Sequence, residues 1–129
     1  MTSELEEVFG PVISSYSRAQ AIEDGELVDV SSVAKEAGIR YPVALTRYVW
    51  GACVEVPAGV ACQDEKGRLW DILWMFKHAA RGGGTEIRFR LHVRNDNRDR
   101  TPALVTLKAV CGPGDDAEPV ITIMQEGED

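Results

Sequence analysis

The 129-residue chain is 44% hydrophobic, an ordinary value for a globular domain, and it carries a formal net charge of −7. A chain of this length can bury about two-thirds of the surface that its unfolded form exposes, so the fold requires neither a metal nor a disulfide. The acidic balance disfavours non-specific attraction to nucleic acid, which depends on Lys and Arg. We expect a single domain over residues 1–129, with flexible ends at 1–14 and 126–129.

Two short helices are predicted near the N-terminus. Ser17 can cap a run of good helix formers, and Gly25 can end that helix in a left-handed conformation. Ser31 or Ser32 can cap a second helix, which Gly38 would end in the same way. These signals predict two small helices ahead of the main core elements.

An extended piece between these two helices and a longer helix after them are also predicted. Residues 26–30 alternate enough to form a short extended segment. Pro42 suits the first turn of a helix that runs from Val43 to about Cys53. The apolar face of this helix is formed by residues at helical spacing: Val43, Thr46, Val49, Trp50 and Cys53. That face is predicted to be buried.

The strongest helix is predicted from Gly67 or Arg68 to about Arg81, and Gly82–Gly84 end it. Its apolar residues cover more than one face: Leu69, Trp70, Ile72, Leu73, Trp74, Phe76 and Ala80. Helical spacing also assigns five aromatic residues to the core: Tyr48, Trp50, Trp70, Trp74 and Phe76. A tryptophan left exposed would instead indicate a protein contact, because tryptophan is enriched among interface anchors.

Unbroken alternation predicts a strand over Glu86–Arg94, with apolar side chains on one face and polar side chains on the other. After a turn-rich loop, Ala103–Cys111 and Pro119–Gln125 are predicted to form two further strands. The predicted fold class is α+β, with N-terminal short helices plus one core helix packed on a C-terminal three-stranded antiparallel meander. We expect the 86–94 strand to be central in that meander.

The three cysteines, Cys53, Cys62 and Cys111, form no C-x-x-C pair, and the chain has only two histidines. This inventory predicts reduced thiols in apolar settings, with no metal site and no cofactor. The N-terminus has acids where a secretory signal needs basic residues, and the longest apolar-rich window is too short to span a bilayer. We therefore expect a cytoplasmic protein without a membrane segment.

Four side chains on the polar face of the predicted 86–94 strand form the main candidate binding site: Arg88, Arg90, His92 and Arg94. Three guanidiniums and an imidazole at alternate positions could hold an anionic partner, and Lys108 on the next strand adds a cation. An acidic protein, nucleic acid or a nucleotide would suit this strip. A solvated sheet face is the other interpretation, because antiparallel sheets commonly expose one face to water.

An enzymatic alternative uses His92 as a general acid or base, with the neighbouring arginines stabilising a phosphate. Lys108 or Thr122 would complete such a site from across the sheet. This arrangement would suit metal-independent cleavage of RNA or processing of a nucleotide. A single histidine outside a recognisable motif is weak evidence for catalysis.

Several segments carry a family resemblance: Ser15–Val30, Ala34–Thr46, Gly67–Asp71, and the stretch from Leu91–Asn95 through Ile121–Met124. They resemble a family of short proteins found on plasmids, integrative elements and phages and catalogued only as a domain of unknown function. The resemblance brings no catalytic residues with it. It implies an accessory gene product of mobile DNA, of a kind that often acts against host defences or regulates maintenance of the element.

We therefore interpret the chain as an accessory binding protein of mobile genetic elements, with inhibition of a host nuclease or defence complex as its expected action. An acidic surface could imitate nucleic acid toward a basic partner, or the arginine strip could hold an acidic one. The small nuclease or nucleotide-processing enzyme based on His92 is the alternative. A structural or oligomeric component is a third interpretation, and the oligomeric state stays open.

Overall fold

The structure is a computed structural model that describes residues 16–128. The helices are α1 (Arg18–Glu23), α2 (Ser31–Glu36), α3 (Arg47–Val49), which continues into a π-helical segment (Trp50–Val54), and α4 (Glu65–Ala79), which continues into a 3-10 turn (Ala80–Gly82). The strands are β1 (Leu27–Asp29), β2 (Val43–Thr46), β3 (Glu86–Val93), β4 (Ala103–Pro113) and β5 (Pro119–Gln125). The flexibility expected for residues 1–14 lies outside the described residues, and that of 126–129 stays a prediction.

The two predicted N-terminal helices are confirmed as α1 and α2. At α1, the Ser17 hydroxyl accepts the Gln20 backbone N–H, and the Gln20 side chain accepts the Ser17 N–H, which closes a capping box. The predicted cap of α2 by Ser31 or Ser32 is wrong, because both residues lie inside the helix, the N-cap residue is Val30, and the Ser31 hydroxyl donates to Asp29 Oδ1 at 2.6 Å. Gly38 follows α2 with a φ of 92°, the left-handed conformation that its sequence position predicted.

The predicted helix from Val43 to Cys53 is wrong over its first four residues. Val43–Thr46 form strand β2, and the chain becomes helical only from Arg47. Val43, Ala44 and Leu45 are all buried, because β2 lies inside the sheet with both of its faces covered. A strand buried on both faces is a continuous apolar run, which hydrophobic periodicity does not distinguish from a short buried helix.

The five strands form one mixed sheet in the order β1–β2–β5–β4–β3. The predicted antiparallel meander is present as β3, β4 and β5, with Phe89 opposite Leu107 and Ala109 opposite Ile123. Two more strands extend it, since β2 pairs with β5 in parallel and β1 pairs with β2 in antiparallel orientation. The α+β class is therefore confirmed, but β3 lies at an edge of the sheet, and its predicted central position is wrong.

Helix α4 covers one face of the meander, as predicted. Its buried apolar side chains lie at i, i+3, i+4 and i+7: Leu69, Ile72, Leu73 and Phe76. These side chains share one core with the buried residues of β3, and the rings of Phe76 and Phe89 are 6.0 Å apart. No helix within residues 16–128 is both long and apolar enough to cross a bilayer.

The aromatic residues assigned to the core divide into buried and exposed sets. Phe76 is buried, whereas Trp50 and Trp70 are half-buried. Tyr48 is 58% exposed and Trp74 is 43% exposed, so the assignment of these two to the core is wrong. The exposed tryptophan lies on α4, next to the edge strand β3.

Arg68, which is only 6% exposed, ties α4 to the end of β3 and to the π-helical segment. Its guanidinium donates to Cys53 O at 3.0 Å, Glu55 O at 3.3 Å, Arg94 O at 2.6 Å and Asn95 Oδ1 at 2.7 Å. The last carbonyls of a helix lack partners within the helix, and the buried guanidinium supplies donors for them. Burial lowers the pKa of Arg68, and burial also raises the pKa of the adjacent Cys53 thiol.

Helix α1 lies against the opposite face of the sheet. The Arg18 guanidinium donates to Thr122 Oγ1 at 2.7 Å and to Ile121 O at 2.8 Å. The Asp115 carboxylate, in the turn between β4 and β5, accepts the backbone N–H groups of Arg18 at 2.8 Å and Ala19 at 3.0 Å. These two hydrogen bonds, followed by the charge of Arg18, lower the pKa of Asp115. The acidic turn therefore anchors α1.

Candidate functional site

A groove of about 630 Å³ runs along the outer edge of β3, and we call it the β3 groove. Its lining comes from α4, β3 and β4: Asp71, Trp74, Met75, Arg90, Leu91, His92 and Leu104. Because α4 covers the core face of the sheet and the arginines lie on the other face, the groove spans both sides of the sheet edge.

Three apolar side chains of the groove are exposed: Trp74 at 43%, Met75 at 41% and Leu104 at 52%. The Trp74 ring is held by its neighbours on α4, stacked at 6.3 Å on Trp70 and 4.8 Å from the His78 ring. A side chain that is already fixed loses little conformational entropy on binding. A fixed, exposed tryptophan beside two other apolar side chains favours contact with a protein.

The sequence prediction missed these residues. Trp74 and Met75 lie outside the stripe of buried α4 residues formed by Leu69, Ile72, Leu73 and Phe76, and that mismatch is a signal that could have identified them. Leu104 carries no such signal. Its place beside the groove depends on its pairing with His92 across the β3–β4 ladder.

The alternation of β3 is confirmed, with Phe89, Leu91 and Val93 buried and the side chains of the even-numbered residues exposed. The predicted strip is not uniform, however. Arg88 forms ion pairs with Glu126 at 2.8 Å and Glu86 at 2.9 Å, and these carboxylates, Glu126 first, raise the pKa of Arg88. Arg90 forms no hydrogen bond or ion pair with any residue in the part of the chain that the structure describes. Its charge is therefore available at the groove.

Besides Arg88, two more of the predicted binding residues, Arg94 and Lys108, lie outside the groove lining. Arg94 follows the end of β3, and its guanidinium donates to Arg98 O at 2.7 Å and Arg100 O at 2.8 Å. It therefore orders the loop between β3 and β4. Lys108 lies opposite Arg88 on β4, and it is 8% exposed. The groove thus retains two of the five predicted binding residues.

His92 is the one histidine at the groove. Its Nδ1 lies 2.9 Å from Pro102 O, so a proton on Nδ1 donates to that carbonyl and leaves Nε2 as an acceptor. Its cross-strand neighbour is Leu104, whereas Lys108 lies four residues further along β4, about 14 Å away at the usual strand rise. Thr122 lies on β5 and binds Arg18. The structure therefore does not bring Lys108 or Thr122 to His92.

The cysteines and the acidic side chains of the described residues form no metal-binding cluster at the groove. Within residues 16–128 no group of three His, Cys, Asp or Glu residues is placed to hold a metal ion. All three thiols are free, and Cys53 is buried as predicted. Cys62 is exposed, with a φ of 62°, so the prediction of an apolar setting is wrong for that residue.

The comparisons with known proteins identify a family. A model described as Family of unknown function (DUF6573) matches residues 7–129, nearly the whole chain. No curated protein and no solved structure matches the chain. The family match confirms the resemblance to a domain of unknown function, while the association with mobile elements stays a prediction. The chain belongs to DUF6573, a family of unknown function.

Proposed function

We propose that this chain is an accessory binding protein of mobile genetic elements, and that it binds a protein partner through the β3 groove. One observation carries the proposal: Trp74, Met75 and Leu104 expose apolar surface around one groove at an open sheet edge. Tryptophan is enriched among the residues that contribute most to protein–protein affinity, and its fixed ring here suits that role. The mobile-element setting is supported by the sequence resemblance alone.

The partner that we propose is a host nuclease or a component of a defence complex, which the protein would inhibit by occupying its surface. The net charge of −7 supports a protein rather than a nucleic acid as the partner, because phosphate binding depends on a surplus of Lys and Arg. At the groove, Arg90 forms no ion pair with any residue in the described part of the chain. Arg88, which lies outside the groove lining, is paired with two glutamates. A single available guanidinium fits an acidic side chain better than a polyanion backbone.

The nuclease alternative gains no specific support from the geometry. Metal-independent cleavage needs a second proton-transfer group within hydrogen-bond reach of the reacting atoms, in addition to His92. The cross-strand neighbour of His92 is Leu104, which cannot transfer a proton, and the Asp71 carboxylate, which also lines the groove, forms no hydrogen bond with His92 in the described part of the chain. Binding is therefore the function that the groove supports best.

A capture experiment tests the proposal. The immobilised protein would be exposed to host lysate, and the bound species would be identified by mass spectrometry. We expect Trp74→Ala combined with Met75→Ala to lose the partner. Tyr48→Ala is the matched control, because Tyr48 is an exposed aromatic residue that does not line the groove. If a nuclease is captured, adding the wild-type protein should lower its activity, and the double variant should not.

Two outcomes would contradict the proposal. One is capture that is equally strong in the groove variant and in the Tyr48→Ala control. The other is cleavage of RNA or a nucleotide by the purified protein without added metal, abolished by His92→Ala. The second outcome would establish the enzymatic alternative. Thermal unfolding of each variant should be measured first, to exclude loss of the fold as the cause.

A further inference from the structure

Within residues 16–128, no strand pairs with one side of the β3 backbone. Cys111 N–H donates to Thr85 O at 2.8 Å, so Thr85 and Cys111 form a hydrogen-bonded pair in the antiparallel ladder. Such pairs recur every second residue, which means that the odd-numbered residues of β3 bond to β4. The N–H and C=O groups of Glu86, Arg88, Arg90 and His92 therefore point away from β4. No strand within residues 16–128 pairs with them.

An open edge of this kind is a template for another strand. The edge is eight residues long, contains no proline, and keeps its register with β4 without a bulge. Natural proteins often protect such edges with charged side chains, which accounts for arginines on β3. It does not account for the apolar side chains of Trp74 and Met75, which lie beside the same edge.

We propose that β3 accepts an extended strand of a protein partner in antiparallel orientation, and that the side chains of this strand alternate between acidic and apolar. The inference rests on the proposed function, because it specifies the chemistry of the partner at the same groove. The partner residues that bond to Arg88, Arg90 and His92 place their side chains on the arginine face of the sheet. The residues between them place their side chains on the α4 side, next to Trp74 and Met75.

The two faces of the groove set the alternating pattern. On one face, Arg90 and His92 lie two residues apart, about 7 Å at the usual strand rise, and an acidic side chain opposite Arg90 forms a cross-strand ion pair. On the other face, the exposed Trp74 ring and the Met75 thioether of α4 offer an apolar surface. The exposed carboxylate of Asp71 at that wall disfavours an acidic side chain on the α4 side.

A second copy of this chain fits the edge poorly. Two β3 strands related by a two-fold axis through Arg90 would place the Arg90 guanidinium of one copy directly opposite that of the other. Directly opposed like charges destabilise a strand pair. The Arg90 charge that opposes self-pairing in this register is thus the same group that selects an acidic side chain on the partner strand.

The test uses a fluorescein-labelled peptide of alternating valine and glutamate, seven residues long, and a matched peptide with lysine in place of glutamate. Binding to the full chain would be followed by fluorescence anisotropy. We expect the glutamate peptide to bind at least about fivefold more tightly than the lysine peptide, because opposite-charge pairs stabilise a strand pair and like charges destabilise it. Arg90→Glu should reverse this preference.

Backbone methylation distinguishes strand addition from side-chain attraction alone. In the proposed arrangement the glutamate amides face β3, and the valine amides face solvent. We therefore expect methylation of the glutamate nitrogens to abolish binding, whereas methylation of the valine nitrogens should preserve it. On the protein side, Arg90→Pro removes an outward N–H without breaking the β4 ladder, and it should weaken binding more than Arg90→Ala does.

The proposal is overturned if the glutamate peptide does not bind, or if methylation of the valine nitrogens is the change that abolishes binding. A dimer in sedimentation that Arg90→Pro dissociates would assign the edge to a second copy and would also overturn it. Capture from lysate that depends on Trp74, together with failure of every peptide, would leave the binding function in place and refute strand addition. The two proposals can therefore fail separately.

Discussion

Replacement of Arg68 by methionine tests whether one buried guanidinium holds the candidate site in place. Methionine retains the unbranched apolar stem of the side chain and removes every donor. Five acceptors would then lose a charged donor: Cys53 O, Glu55 O, Gln63 Oε1, Arg94 O and Asn95 Oδ1. These acceptors lie in three parts of the chain, at residues 53–55, at 63 and at 94–95, so the change should loosen the junction of α4, the π-helical segment and the end of β3.

The magnitude follows from the same contacts. A hydrogen bond to a charged group contributes about 1.5–3 kcal/mol, and five such bonds lost in full would sum to more than the net effect that we expect. Removing the guanidinium also removes the cost of burying its charge, which the lowered pKa of Arg68 reflects. Some of the exposed carbonyls would also regain water. We therefore expect a net loss of about 3 kcal/mol in the free energy of unfolding, at the upper end of what most single substitutions cost, because a buried hydrogen-bond network is broken.

Urea unfolding followed by tryptophan fluorescence measures this loss. Lys66→Met is the matched control, because Lys66 lies on the same helix with its side chain 72% exposed and a 3.9 Å ion pair to Glu36. Its loss should stay below about 0.5 kcal/mol. A loss below about 1 kcal/mol for Arg68→Met, within the ordinary range of surface substitutions, would refute the assigned role of Arg68.

Two further predictions concern the sheet and the turn that anchors α1. Phe89→Ala should lower the free energy of unfolding by about 3–5 kcal/mol in urea, because it removes a buried ring that packs on Phe76; a value near that of a surface substitution would contradict the core assignment. The pKa of Asp115 is lowered in the folded state, so its stabilisation is present above the unfolded pKa of about 3.9 and is lost as the pH falls through the folded value. Asp115→Asn should therefore flatten the loss of thermal stability on acidification relative to the wild type, and an unchanged pH dependence would exclude this contribution.

Several elements could be predicted because their signals are local. The Ser17 cap with Gln20 and the left-handed Gly38 define the ends of α1 and α2 through contacts within a few residues. The alternation of β3 predicted its buried face, since the side-chain period of a strand is fixed by its backbone. The binding residues followed from the same pattern, and Arg90 and His92 do line the groove.

Other features depend on partners far away in the chain. Val43–Thr46 reads as part of a helix because its apolar residues continue the spacing of Val49 and Cys53. It is a strand because β5, more than seventy residues later in the chain, pairs with it in parallel along one of its edges. The use of Arg94 for the loop carbonyls of Arg98 and Arg100 also follows from the folded loop, and charge patterning does not reveal it.

The sequence by itself determined the α+β class, the core helix, the antiparallel meander and the two faces of β3, because periodicity and capping act over one or two turns of chain. Only the tertiary structure decided that β3 is an edge, since strand order depends on which segments meet after the chain collapses. It also decided that Trp74 is exposed, because α4 has one sheet to cover and its buried stripe turns that residue toward the open edge. The groove forms because the edge strand β3 and the exposed Trp74 lie next to each other in the folded chain.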